Sequence, residues 1–350
     1  MRVPYNTRWS PGHARGVSAA ADDEPRDGER DRLNSLARLS RSSGTESART
    51  VWVALAANVL VGVAKSIAAV LTGSASLLAE AAHSWADTGN EVFLVIANRR
   101  SSRAPDRAHH LGYGREAYVW ALLAALALFV AGAAVSVARG VQELFHPEPA
   151  TDFLVGYAVL SVSFVLEGIS FLRSVRQARA TAEMFGYDLT EEVMATSDPT
   201  LRAVFFEDFA ALVGLVIAAV ALAAHQATGS STPDAVGSIL VGMLLAVIAV
   251  VLINRNRQFL VGEEADPRVH AAALRALLEM PEIDRVTYLR LEIVGPRTLY
   301  IIGYVDLAGD DAESRVADRL RALEARISAS PFAAGAVLSL SAPDEPSLAP

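Results

Sequence analysis

Six runs of about twenty predominantly apolar residues constrain this chain more than any other feature of its sequence. They lie at 51–71, 76–97, 118–138, 153–171, 203–224 and 235–253. A helix rises about 1.5 Å per residue, so roughly twenty residues cross the hydrocarbon core of a bilayer. No water reaches backbone N–H and C=O groups there, so each run must satisfy them internally, as a helix. Hydrophobic residues make up 52% of the 350, charged ones 20%, and mean hydropathy is +0.30. The fold class this predicts is a multi-pass all-α membrane domain of six transmembrane helices, spanning 50–260.

Arginines sort the connections into two sets. Arg99, Arg100, Arg103, Arg107 and Arg115 lie between the second and third runs. Arg173, Arg176, Arg179 and Arg202 lie between the fourth and fifth, and Arg255 and Arg257 follow the sixth. The intervening connections, Thr72-Gly73-Ser74, 145–152 and 225–234, contain no Lys or Arg. Positive charge stays inside, so N- and C-termini are both expected in the cytoplasm, with the protein in the plasma membrane. Residues 1–49 are polar, with no apolar core near the start. They read as a disordered cytoplasmic tail rather than a signal peptide.

Beyond Gly262 the periodicity changes. A helix is predicted over 269–278, strands over 285–293 and 298–307 around the turn Gly295-Pro296-Arg297, an amphipathic helix over 312–327 and a last strand over 336–340. This αββαβ order predicts a small α+β ferredoxin-like cytoplasmic domain at 261–341. The Pro-rich segment 342–350 is expected to be a flexible tail. A net charge of −8 argues against nucleic acid as a partner, and the absence of cysteine excludes thiolate metal ligands.

Ionisable groups inside a span are costly and mark a pathway or a pairing. The second run carries Glu80, His83, Asp87 and Glu91, and the fifth opens with Glu207-Asp208. His83 and Asp87, four apart, share one helix face, and an imidazole and a carboxylate so placed can bind one zinc ion. The alternative is that these groups only hydrogen-bond neighbouring helices. Lys65, the only lysine, lies within the first run. It is expected to form an intramembrane ion pair rather than snorkel, and Glu167 in the fourth run to support the bundle by a hydrogen bond. No HExxH helix and no nucleophile–base pair stands in any run, which argues against an enzyme.

Several segments together resemble the cation diffusion facilitator family of divalent metal transporters. They are Gly73 through Asp87 (GSASLLAEAAHSWAD), His109 through Arg115, Asp234-Ala235-Val236-Gly237-Ser238 and Leu260-Val261-Gly262-Glu263. The resemblance runs from about residue 51 to 340. It implies a homodimer that exports a divalent cation, zinc foremost, in exchange for protons. The ion is then transported substrate rather than cofactor. It implies His83, Asp87 and Asp208 as metal ligands, whereas the family's fifth-helix histidine falls at Val204. We expect Glu207 to take over that task, or else to pair with Lys65. Asp106 and His109 match two positions of a loop metal site whose third falls at Tyr113, so that site is expected to be weak or absent. The resemblance also implies that the cytoplasmic domain joins the two subunits. The alternative function is a membrane scaffold or metal-responsive regulator of the same fold that has lost transport.

Overall fold

A computed structural model describes residues 48–147 and 152–349; the expected tail lies, through residue 47, outside them. Six long helices form the membrane part. They are α1 (Ala48–Thr72), α2 (Ala75–Ser101), α3 (Glu116–Phe145), α4 (Phe153–Phe185), α6 (Pro199–Thr228) and α7 (Thr232–Val261), with a short helix α5 (Leu189–Ala195) in the connection between α4 and α6. Helices α3, α4, α6 and α7 are each long and apolar enough to cross a membrane. The apolar part of α1 is Asn58–Thr72. Helix α2 is the polar one, and its place explains how it is tolerated. It packs against α1, α3, α6 and α7 at once, so its polar face is covered by protein rather than lipid.

The α1–α2 hairpin turns at Gly73, whose φ of 68° favours glycine. Ser74 then caps α2 by accepting from the Leu77 N–H at 3.2 Å. A second cap comes from far along the chain. The buried carboxylate of Asp234, at the start of α7, accepts from Ser74 Oγ at 2.9 Å, from the Ala75 N–H at 2.6 Å and from Ser76 Oγ. One carboxylate thus satisfies three donors at a helix N-terminus, where negative charge is also favoured by the helix dipole. Asp234→Ala is expected to cost roughly 2–3 kcal/mol, because buried donors lose a charged acceptor. A thermal melt in detergent should show Asp234→Ala well below the wild type, with Asp234→Asn between them.

Glycines let the helices touch. A Cβ on Gly237 of α7 would stand 2.5 Å from the Ala221 Cβ of α6, and one on Gly242 2.7 Å from Val137 of α3. These are close crossings of the small-residue kind found in membrane bundles. Within α3 the residues Leu128–Ala134 wind as a π-helix, which the apolar pattern of the run did not reveal.

After α7 comes the predicted α+β unit: α8 (Pro267–Leu278), β1 (Ile283–Gly295), β2 (Thr298–Leu307), α9 (Glu313–Ser328) and β3 (Ala333–Leu340). β1 and β2 are antiparallel, β2 and β3 parallel, in the order β1-β2-β3. Leu274, Val286, Leu291, Val305 and Leu323 lie in its core, so α8 and α9 pack on one buried layer with the sheet. The segment 342–349 departs from expectation. Leu348 joins this core and its N–H donates to the Val286 carbonyl at 2.7 Å. Glu345 accepts from Thr287 Oγ1 at 3.0 Å, and its carbonyl from Arg285 at 2.7 Å. One partly buried leucine and a pair of charged contacts fasten a stretch whose composition reads as loose.

Candidate metal site in the membrane bundle

α2 brings a column of polar side chains through the middle of the bundle. His83 is fully buried, and neither ring nitrogen has a hydrogen bond. Its Nδ1 lies 3.4 Å from Oδ1 of Asp87, one turn further on. That carboxylate oxygen is likewise buried without a hydrogen-bond partner. A buried polar atom left unpaired costs about 1–3 kcal/mol, so this pair stores a demand for a partner. Facing them, α6 supplies Glu207 and Asp208, both buried. Asp87 lies within electrostatic reach of Glu207, Glu167 and Asp208, so helices α2, α4 and α6 turn their carboxylates toward a common region.

The two carboxylates of α6 are each held from the side. Ser170 Oγ of α4 donates to both oxygens of Asp208 at 3.1 Å. Asn90 Nδ2 of α2 donates to Glu207 Oε2 at 2.5 Å. Among the described residues no three His, Asp or Glu side chains close on one point at metal-ligand spacing. The structure therefore brings His83 and Asp87 together, with Glu207 and Asp208 nearby but drawn toward Asn90 and Ser170.

The expected alternative partner of Glu207 is corrected here. Lys65 is fully buried, with Nζ 3.2 Å from Glu80 Oε2 and 3.7 Å from Glu167 Oε1. Hairpin arithmetic explains this. α1 and α2 run antiparallel about Gly73, so residues 65 and 80, nearly equidistant from it, stand level. Further from the turn, Asn58 donates to Glu91 Oε1 at 2.7 Å, although Glu91 lies three residues beyond the level that equal counting would give. Glu207, in the third turn of α6, stands level with Asn90, ten residues or about 15 Å along α2 from Glu80. Counting from the turn would have found Lys65–Glu80. Asn90 and Ser170 carry no charge and gave no signal in the sequence.

The loop residues Asp106 and His109 lie together on the surface, 3.6 Å apart and half exposed. The Asp106 carboxylate is already engaged. Tyr113 donates its hydroxyl to Oδ2 at 2.7 Å, and the N–H groups of His109 and Ala108 donate to Oδ1 at 2.8 and 2.9 Å. The Tyr113 hydroxyl, followed by these backbone donors, holds the Asp106 carboxyl down at about 2. The contribution of this turn is present above the ordinary aspartate pKa and is lost as pH falls toward 2. Tyr113 therefore stands at the third position and already engages one oxygen of the Asp106 carboxylate. Asp106→Asn is expected to leave the number of bound zinc ions unchanged in equilibrium dialysis.

Six membrane helices around a buried imidazole–carboxylate pair, with a small α+β domain after the last helix, define a multi-pass membrane protein built around a polar pathway. The family description of the cation efflux transmembrane domain matches residues 51–261, and the chain belongs to that family, the cation diffusion facilitators. It is 34% identical over 263 residues to metal tolerance protein C4 of Arabidopsis thaliana, covering 75% of this chain and 58% of that protein. It is 35% identical over 231 residues to the human proton-coupled zinc antiporter SLC30A9, mitochondrial, covering 66% of this chain and 40% of that one. The zinc transporter ZitB of Pectobacterium atrosepticum is 26% identical over 238 residues, 68% of this chain and 69% of its own length. The chain thus spans well under two thirds of the first two relatives.

Proposed function

We propose that this protein is a secondary transporter that exports a divalent transition-metal ion, zinc foremost, from the cytoplasm in exchange for protons. The observation that carries the reading is the buried His83–Asp87 pair, without hydrogen-bond partners on its facing atoms, opposite Glu207 and Asp208 in a cation efflux domain. A neutral imidazole and ionised carboxylates bind zinc, and protonated ones release it, so metal and proton compete for the same atoms. If the bundle presents these atoms to the two sides in turn, an inward proton gradient drives metal outward. The Ser170 and Asn90 contacts suit a site that must let go. They give the α6 carboxylates somewhere to rest between ions.

Both termini are cytoplasmic in this reading and the membrane is the plasma membrane, the boundary across which export clears the cell. Two copies associate through the cytoplasmic domain. Support for the pairing comes from the sheet face away from α8 and α9, where the rings of Tyr288 and Tyr304 lie 4.9 Å apart, tilted by 34°, and, like Val337, remain about 40% exposed. Proteoliposomes with an imposed pH gradient test the function: zinc should move against its gradient only when protons flow the other way. Zinc flux indifferent to the pH gradient would leave a channel or scaffold instead.

Glu207 supplies the oxygen that Val204 cannot. Positions 204 and 207 are about 60° apart around the helix, and the longer glutamate reaches back across that gap. Glu207→Gln is expected to weaken zinc binding on the order of 10–100-fold, the range for perturbing a ligand set. Adding Val204→His should restore much of it. Unchanged zinc affinity in Glu207→Gln, measured by calorimetry on purified protein, would remove Glu207 from the site.

A further inference from the structure

One turn from His83, toward the α1–α2 hairpin, a second group of charges is sealed inside the bundle. Lys65 and Glu80 are both fully buried, and Glu167 of α4 reaches the same ammonium from the other side. A buried ion pair usually uses all its lone pairs, because each uncompensated atom is costly. Here Glu80 Oε1 has no hydrogen-bond partner. It also occupies a place prepared for it. It lies against the bare Cα of Gly214 on α6, where any side chain would collide with the carboxylate. Two carboxylates from different helices thus converge on one positive charge, with an oxygen to spare and a glycine cradle behind it.

We propose that Glu80 and Glu167 form a second intramembrane cation position, which the Lys65 ammonium fills until a divalent ion in transit displaces it. The charges balance. The two carboxylates and the ammonium sum to one negative charge, and without the ammonium they carry two, which a divalent ion neutralises. The donor set is all oxygen, which accepts zinc and also harder divalent ions. Glu80 stands about 4.5 Å along the axis from His83, three residues at the helical rise, a short step for an ion leaving the imidazole. The flexible four-carbon stem of lysine can swing the ammonium aside and return it, so Lys65 acts as a tethered ion that closes the pathway behind the departing metal. The physiological meaning rests on the carrier reading above, but the binding itself does not.

The test counts zinc ions per chain by equilibrium dialysis of the full-length protein in detergent. At a zinc level that fills the His83–Asp87 site but does not yet displace the ammonium, Lys65→Met should bind one more ion than the wild type. Lys65→Met combined with Asp87→Ala and Asp208→Ala should bind one more than the Asp87→Ala, Asp208→Ala protein. Adding Glu80→Gln should remove the increment in both backgrounds. Folded Lys65→Met with no additional ion overturns the proposal and leaves a structural ion pair. An increment that persists while the wild type shows no ion dependent on Asp87 and Asp208 upholds it and overturns the carrier reading instead. Should Lys65→Met fail to fold, the wild type still decides. Lys65 is the only lysine, so a membrane-permeant amine reagent followed by mass spectrometry reads it directly. Saturating zinc should raise its modification several-fold, and modification that stays constant or falls overturns the proposal.

Discussion

Asp87→Ala should abolish zinc transport while leaving the protein inserted and folded, and Asp208→Ala should do the same. Each removes an oxygen donor that alanine cannot replace. A loss of about 100-fold in affinity corresponds to roughly 3 kcal/mol, enough to empty a transport site at cytoplasmic metal levels. Neither carboxylate carries much of the scaffold. Asp87 Oδ1 is buried without a hydrogen bond, and Asp208 is held by the Ser170 hydroxyl alone among the hydrogen-bonding side chains described. Removing either one relieves the cost of a buried carboxylate, so stability should hold or rise slightly. The check is flux in proteoliposomes alongside size-exclusion and melting profiles in detergent. Normal flux by a well-expressed Asp208→Ala protein would take Asp208 out of the site and leave Glu207 as the contribution of α6.

The six membrane helices were legible because lipid leaves a chain few options, and runs of twenty apolar residues admit only one. α2 is the exception. Its Glu80, His83, Asp87 and Glu91 weaken the hydropathy signal, and it is read as a span by its motif and by the alternation of arginine-rich connections. The α+β order was legible from the change of period after Gly262. Less visible were contacts made across long separations by single side chains. Asp234 caps a helix 159 residues away, and nothing in its local sequence says so. The polar groups that hold Glu207 and Asp208, Asn90 and Ser170, are neutral and drew no attention among charged neighbours. Leu348 is one apolar residue in a polar tail, too little for a periodicity argument, yet enough to dock the segment once the sheet exists.

The second large effect is expected where the two parts of the chain meet. Gly114 sits just before α3 in the segment Gly112-Tyr113-Gly114-Arg115. A Cβ there would lie 2.5 Å from the Val294 carbonyl oxygen and 2.8 Å from the Gly295 Cα, at the tip of β1. Both neighbours are backbone, so neither can rotate away as a side chain would. The adjoining contacts depend on this approach. Arg115 pairs with Glu292, Tyr118 stacks on Phe259 at 5.1 Å, and Ile293 packs with both rings. On the other side of the β1–β2 turn, the Arg297 N–H donates to Ser197 Oγ at 3.0 Å, and its guanidinium lies 3.6 Å from Asp198 at the cap of α6. One strand tip therefore touches the starts of both α3 and α6, and α6 carries Glu207 and Asp208. Gly114→Val should push the tip away and weaken these contacts together, with a cost of about 1–3 kcal/mol for overpacking. Limited proteolysis near Gly262 should become faster, and zinc flux should fall although no ligand has changed. Gly114→Ala should show the same trend more weakly. The binding of zinc in detergent should stay near the wild-type level, because the substitution lies far from His83 and Asp87. Wild-type flux and proteolysis in Gly114→Val would mean that the loop relaxes around the new side chain and that α6 is positioned without help from the strand tip.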